Sequence, residues 1–349
     1  MNNGLTKANL VALYSEMKTG RKAVPGKVTM EDIAREAGCS RPQVSRAFNG
    51  KPNVAPEVRE RVLAAAKRLN YRNTANRHQI RIAVIVQSIG GSYTQMVLNA
   101  LLENACKRNW VCHIMHEQFL HTVSDYFYDG VISLIFNDSW ARKWVEERTT
   151  PLVMVNSYGT AFDKICSIDP DSYEGSCLVL RHLKQLGHRK IARVHFVSPE
   201  QVTYHRGQSE FLKAAAEFNL GDSVRNFQFV GLNTLESALL SVLEQGFTAV
   251  YMIHQNLAVP AARVILDAGY RIPDDVSLVT YELPEISCHL SPPHTTLDFD
   301  YDALARRALE ELRLRMLGRA MGGGSVLIPN ILIVRGSTGP CRRKKILRN

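Results

Sequence analysis

Val28 to Arg72 reads VTMEDIAREAGCSRPQVSRAFNGKPNVAPEVRERVLAAAKRLNYR, and its punctuation predicts three short helices with one sharp turn. Thr29 is placed to cap a helix whose apolar residues Ile33, Ala34 and Ala37 share one face, and Glu31 and Asp32 suit the positive end of its dipole. Gly38 stops it. After Gly38, Cys39 and Ser40 a second helix can start, with Ser40 as cap and Pro42 in the first turn, where a missing N–H is harmless. It turns Val44, Ala47 and Phe48 inward. The loop NGKPNVAP then leads to a third helix, opened by Pro56 and running to Leu69, with Val58, Val62, Leu63, Ala66 and Leu69 as its apolar stripe. Residues 27–72 thus read as one small helical module.

The same region carries the charge. The 349-residue chain has a net charge of +10. Residues 21–81 hold fourteen Lys or Arg against five Asp or Glu, a balance of +9, so the remainder is close to neutral. Charge confined to one short segment is an electrostatic footprint for a polyanion, with nucleic acid the leading candidate. At 45% hydrophobic and 22% charged residues the chain has the make-up of a globular protein, which excludes fibrous and disordered classes. Its length suggests two or three domains at roughly 150 residues each. Seven scattered cysteines without a C-x-x-C pair fit reduced thiols better than a disulfide framework. The opening MNNGLTKANLVALYSEMKTGRK lacks the apolar core of a secretion signal, and no window reaches the ~18 apolar residues that span a bilayer. The expectation is a cytoplasmic protein with no membrane contact. Residues 1–26 contain a short amphipathic stretch, Leu10 to Met17, to which no role is assigned.

Beyond Tyr71 a polar basic segment gives way to an alternation of apolar runs and helical stretches. The runs are Ile82–Val86, Val131–Phe136, Leu152–Val155, Ile191–Val197, Ala249–Ile253 and Val276–Tyr281. Between them lie helices such as Met96–Lys107, Gly175–Leu186, Gln208–Phe218, Leu235–Gln245 and Pro260–Ala268. Strand-then-helix order predicts parallel sheets covered on both faces, an α/β architecture with room for two such sheets.

The 28–72 stretch resembles the DNA-binding headpiece of the LacI/GalR (lactose-repressor/galactose-repressor) family of transcriptional regulators. That family's D-x-A-x-x-A-G-x-S turn appears as DIAREAGCS, and its V-S-R, hydrophobic pair and N-G as VSRAFNG. The resemblance implies a helix-turn-helix whose second helix enters the major groove. It places Arg41, Pro42 and Arg46 at base edges, the two arginines as forks for guanine O6 and N7. Thr29, Ser40, Gln43, Ser45 and Asn49 would touch phosphates, which fix register without reading sequence. A hinge at 73–81 follows. The family's Y-R-P-N-A-L-A-R-S-L pattern reads here Y-R-N-T-A-N-R-H-Q-I, which puts Ile80 where relatives insert a minor-groove wedge. Because Arg81 and IAVIV follow at once, Ile80 can equally begin the first strand. Arg77 is the further candidate for a phosphate or minor-groove contact.

The remainder resembles the same family's periplasmic-binding-protein-like core, through DGVISL (129–134), PLVMVN (151–156), IDPDSYEGSCLVLRHLKQLGHRKIARV, GYRIPDDVSLVTYE, LSPPHTTLDFDYDALARRALEEL and PNILIVRGST (329–338) in order. This implies a core at 82–338 of two doubly wound α/β subdomains, the first about 82–169 with 294–318 and the second about 170–290 with 325–338, then a basic tail at 339–349. A ligand cleft lies near the carboxyl ends of the strands in such folds. By resemblance its lining falls on Tyr93, Asn156, Arg206, His254, Gln255 and Glu282. Several of these positions depart from the pattern: IHQ replaces A-N-D, TYE replaces G-F-D, and Arg206 stands one place off the usual arginine. The departures imply an unusual ligand or a weakened pocket. The short stretch between His116 and Asp129 leaves little room for the first subdomain's second helix.

The resulting expectation is a homodimeric regulator, by family habit a repressor, that binds a near-palindromic double-stranded DNA operator and responds to a small effector, a carbohydrate or related metabolite. The alternative is a DNA-binding protein whose core is only a dimerisation scaffold. No enzyme, cofactor or metal is expected: there is no G-x-G-x-x-G, Walker loop or G-x-S-x-G element. Cys112, His113 and His116 gather ligand types, but VCHIMHEQF reads as an alternating strand with His113 facing away from the other two.

Overall fold

The computed structural model describes residues 28–48, 53–69, 71, 79–123, 127–135, 138–157, 164–197, 205–319 and 322–342. The chain divides into two units, Met1–Asn76 and Arg77–Asn349.

In the first unit, α1 spans Met30–Ala37, α2 Arg41–Phe48 and α3 Pro56–Arg68. Local chemistry sets each boundary. Thr29 and Asp32 form a reciprocal capping box at the start of α1: the Asp32 N–H donates to Thr29 Oγ1, and the Thr29 N–H donates to Asp32 Oδ2 at 2.9 Å. These bonds from Thr29 hold the Asp32 carboxyl below its ordinary pKa, so the cap is ionised at neutral pH. Gly38 closes α1 in the left-handed region at φ 62°, where its N–H reaches back to Ala34 and Arg35 carbonyls; a side chain there would strain the turn. Ile33, Ala34, Ala37, Val44, Ala47, Phe48, Val54, Val62, Ala65, Ala66 and Tyr71 are buried. Phe48 and Tyr71 stack with centroids 5.5 Å apart. On α3 the buried seam is Val62, Ala65 and Ala66, not the broader stripe expected: Val58, Leu63 and Leu69 are half-buried, because the two alanines take the face against α1 and α2.

The second unit is built on two six-stranded sheets. In chain order its elements are β1 (Arg81–Val86), α4 (Ser92–Lys107), β2 (Val111–His116), β3 (Gly130–Ser133), α5 (Asp138–Glu147), β4 (Leu152–Val155), β5 (Cys166–Pro170), α6 (Ser172–Gln185), β6 (Ile191–Val197), α7 (His205–Glu217), β7 (Val224–Val230), α8 (Leu235–Glu244), β8 (Ala249–Ile253), α9 (Ala258–Asp267), β9 (Ser277–Tyr281), β10 (Thr295–Phe299), α10 (Tyr301–Met316), β11 (Gly324–Ile328) and β12 (Asn330–Ile333). The sheets run β11-β5-β4-β3-β1-β2 and β12-β10-β9-β8-β6-β7. All neighbours are parallel except β10 and β12.

Period-2 alternation decides what each face buries. In β1, Ile82, Val84 and Val86 pack under α4 and α10, while Ala83 and Ile85 face Ala141 and Trp144 of α5. In β6, Ala192 and Val194 pack under α8 and α9, while Ile191 faces Leu180 of α6 and Phe211 of α7. Burying one such Val, Leu, Ile or Phe contributes about 1.5–3 kcal/mol, and both faces are filled, which is why these strands read as unbroken apolar runs. Where room for a helix was short, residues Glu117–Thr122 form only a 3₁₀ turn. His113 faces away from Cys112 as the alternation requires, with its Nδ1 3.0 Å from the Tyr128 hydroxyl. Among the described residues no group of three His, Cys, Asp or Glu side chains could hold a metal, and no helix is long and apolar enough to cross a membrane.

The subdomain allotment needs correction. Residues 295–299 (β10) belong to the second sheet rather than the first, and 324–328 (β11) to the first rather than the second. The chain crosses after Pro170, after Phe299 and at Pro329, so each late strand is read against its sheet only through its pairing partner. Apolar runs look alike in either sheet.

Candidate functional site

The outer face of α2 holds the first candidate site. Arg41, Pro42 and Arg46 are exposed, while Val44, Ala47 and Phe48 are buried, so the helix turns its basic side out. Ser40 and Gln43 form a second capping pair: Gln43 Oε1 accepts the Ser40 N–H at 2.9 Å and hydroxyl at 3.0 Å, and the Gln43 N–H donates to Ser40 Oγ at 3.4 Å. Arg46 Nε donates to the Pro42 carbonyl at 3.2 Å, which folds its guanidinium back toward the helix start. Arg41 pairs with Glu31 at 3.0 Å, both side chains more than half exposed. A pair so solvated contributes about 0–1 kcal/mol and leaves Arg41 able to exchange Glu31 for another acceptor. Thr29, Ser40 and Gln43, expected at phosphates, are engaged as helix caps in the structure, and Ser45 is half-buried on α2. Asn49 and Arg77 lie outside the described residues. Ile80 packs against the first-sheet core and its carbonyl accepts the Val111 N–H at 2.8 Å, so it leads straight into β1.

The second site is a cleft of about 260 Å³ between the two sheets of the second unit. One wall is the start of α4 (Gly91, Ser92, Tyr93, Thr94) with Asn156, just past β4. The other is built from Arg193, His195 and Phe196 of β6, Tyr251 and Ile253 of β8, the His254–Asn256 turn and Tyr281 of β9. Phe299 and Ser172, beside the crossovers, form its floor. Ser92 Oγ donates to Asn256 Oδ1 at 2.6 Å, a latch that spans the walls. Gln255 Nε2 donates to the Tyr301 hydroxyl at 3.2 Å. Rings line the interior: Tyr281 and Phe299 are 4.8 Å apart, and Tyr93 meets Phe299 edge-on at 6.0 Å. Burial raises the Tyr281 and Tyr301 phenol pKa values, so both stay protonated donors. Desolvation lowers that of His254, so its imidazole is neutral at pH 7.

Of the six expected cleft residues, Tyr93, Asn156, His254 and Gln255 line it. Arg206 lies on the first turn of α7, and its side chain is outside those described. Glu282 is a correction. It is buried beside the cleft in an ion pair with Arg335, whose Nη1 lies 2.8 Å from Glu282 Oε2, and it accepts the Thr296 hydroxyl as well. Alternation explains this: Tyr281 takes the cleft side and the next residue turns away. Arg193 and His195 were missed. Their signal was legible, since two polar residues interrupt IARVHFV, a strand otherwise apolar as a doubly covered parallel strand must be. Phe299, Ser172 and Ser176 gave no signal, because only the crossovers bring them to the cleft.

The two units define a class: a helix-turn-helix with an exposed basic helix, coupled in one chain to a two-sheet α/β core with a ligand-sized cleft. Residues 29–73 match the model of bacterial regulatory proteins of the lacI family, and residues 180–338 that of periplasmic binding protein-like domains. The chain thus carries a lacI-family DNA-binding domain followed by a periplasmic binding protein-like domain. Similar proteins include the HTH-type transcriptional repressor PurR of Mannheimia succiniciproducens, 26% identical over 332 residues (88% of this chain and 98% of that protein). The ribose operon repressor of Haemophilus influenzae is 29% identical over 311 residues, 82% of this chain and 92% of that one. Among solved structures, the Lac repressor dimer bound to operator and the anti-inducer ONPF has a TM-score of 0.66 at 23% identity, covering 90% of this chain and 99% of that one. The complex of the regulator CelR with cellobiose has a TM-score of 0.64 at 22% identity, covering 89% and 100%. These likenesses establish the fold.

Proposed function

We propose that the protein is a sequence-specific transcriptional repressor of the cytoplasm, which binds a near-palindromic operator as a homodimer and takes a small effector in its cleft. One observation carries this reading: Arg41, Pro42 and Arg46 share the exposed face of a short capped helix in the most basic part of the chain. Such a helix fits a major groove ~12 Å wide, where an arginine fork pairs with guanine O6 and N7. Dimerisation sets two such helices on half-sites about one turn of DNA apart. Relatives named as repressors, and a neighbour named as bound to operator, support it. An effector that favours one closure of the cleft shifts operator affinity, and operator shifts effector affinity by the same factor.

The test is selection by the full-length protein from random duplexes at near-physiological salt, against nonspecific competitor DNA. An enriched inverted repeat is the expected outcome. A flat profile, with and without a metabolite extract, contradicts sequence-specific recognition.

A further inference from the structure

The cleft's lining bears on the class of effector, an inference that rests on the sensor half of the reading above. Among the described residues lining it there is no Asp or Glu; its ionisable groups other than tyrosine are Arg193, His195 and His254. Four nearby carboxylates are committed elsewhere, Glu210 accepts the hydroxyl of the lining Ser172, and Asp298, between the lining residues Leu297 and Phe299, is not itself part of the lining. Asp169 accepts the hydroxyls of Ser167 and Ser325 and the Ser157 N–H, Asp171 caps α6, Glu174 accepts the Asn330 N–H and Glu282 holds Arg335. A wall that grips sugar hydroxyls through ionised carboxylates, which only accept hydrogen bonds, is therefore missing.

What the cleft offers instead is positive. Arg193 is 5% exposed and is positioned by Nη1 donating to Asn226 Oδ1 at 2.6 Å. A β-carbon at Gly207 would come within 3.1 Å of its Nη2, so glycine preserves the guanidinium's place. The positive end of the 16-residue helix α4, whose N-cap Gly91 supplies no side-chain cap, forms the opposite wall. Asn156 is 4% exposed, lines the cleft, and has an amide oxygen with no hydrogen-bond partner among the described residues. It calls for a hydroxyl or N–H on the ligand. Tyr93, Tyr281 and Phe299 supply apolar ring faces, and the cavity is just below the usual ~300–1,000 Å³, so the occupant is compact.

We propose that the effector is a small ring-bearing acid, its carboxylate or phosphate held by Arg193 and its ring against Tyr93, Tyr281 and Phe299. Full-length protein is titrated calorimetrically with 4-hydroxybenzoate, phenyl phosphate, the neutral 4-hydroxybenzamide, cellobiose and ribose. At least one acid binds ~10-fold or more tighter than the amide, as expected for a charge-assisted bond, and the better of the two acids identifies the anionic group. Asn156→Asp and Arg193→Met each weaken that acid ~10-fold or more, with circular dichroism showing that each variant is folded; if Arg193→Met does not fold, Asn156→Asp carries the test. Tighter binding of cellobiose or ribose, or acid affinity untouched by Asn156→Asp, overturns the proposal and leaves the sensor reading standing. No binding by any probe, with the inverted repeat still enriched, overturns both and leaves a DNA-binding protein with a scaffold core.

Discussion

In the first unit, Arg41, Pro42 and Arg46 sit within two turns of one helix, held by caps three residues apart in sequence. In the second, the cleft draws on residues from Gly91 to Phe299, brought together by two sheets and three crossings of the chain. A site made by local geometry survives distant substitutions so long as its small helical core holds. A site made by topology depends on buried polar pairs far from any ligand. The contrast can be attacked at both ends.

The largest effect is expected from Ile33→Asp, which puts a carboxylate into the fully buried centre of the three-helix unit. Small units of this kind carry only about 3–5 kcal/mol of stability, and an unpaired buried charge exceeds that. Binding to the selected duplex should fall ~10³-fold or more, to the nonspecific level, while ligand binding in the cleft, which uses none of these residues, persists. Loss of both together would break the contrast.

Next is Glu282→Ala, which leaves Arg335 buried without its carboxylate. Urea unfolding of the second unit should show about 2–4 kcal/mol of destabilisation with little change in ligand affinity. The reverse pattern would return Glu282 to the cleft.

A subtler pair lies on the crossover strand. Burial drives His294 down to about 4 and, with Glu282 and Asp300 nearby, drives Asp298 up to about 6. His294 contributes stability that is present above its unfolded value of about 6.5 and lost as pH falls toward 4; Asp298 contributes stability that is present below its unfolded value of about 3.9 and lost as pH rises through 6. The two oppose each other across the same window. Asp298→Asn should therefore stabilise the protein at pH 7 by about 1–2 kcal/mol and unmask a fall in melting temperature between pH 6.5 and 4. A variant whose stability does not differ from the parent at pH 7 would contradict the burial assigned to Asp298.

Smallest is Thr29→Ala, which removes the cap of α1 at a cost of about 1 kcal/mol, read as a lower melting temperature of the first unit. A larger loss on DNA than the loss of folded fraction explains would give Thr29 a direct phosphate contact besides.

The same contrast governs what could be read in advance. Gly38, the Thr29 and Ser40 caps, and the inward set Ile33, Ala34, Ala37, Val44, Ala47 and Phe48 were legible because turns, caps and 3.6-residue periodicity are properties of neighbouring residues. β1, β3, β4, β6, β8 and β9 were legible as apolar runs, whereas β5, β7 and β10–β12, more polar or shorter, were not. Which sheet received β10 and β11 was not, since pairing is long-range and both sheets bury the same residue types. Tyr93, Asn156, His254 and Gln255 line the cleft. Glu282 does not line it: alternation after Tyr281 turns it away from the cleft, toward Arg335, 53 residues on. Arg193 and His195 were visible as polar interruptions of β6 but had no motif to name them.

The central claim is that α2 reads bases through its two arginines. It is tested most directly by titrating the selected duplex, and the same duplex with its conserved guanines replaced, with wild-type protein, Arg41→Ala and Arg46→Ala. The account predicts that each variant binds the selected duplex ~10- to 100-fold more weakly, binds the guanine-replaced duplex about as well as wild type does, and unfolds at an unchanged temperature. Equal losses on both duplexes would make the arginines phosphate contacts, and undiminished affinity for the selected duplex would place the reading surface elsewhere.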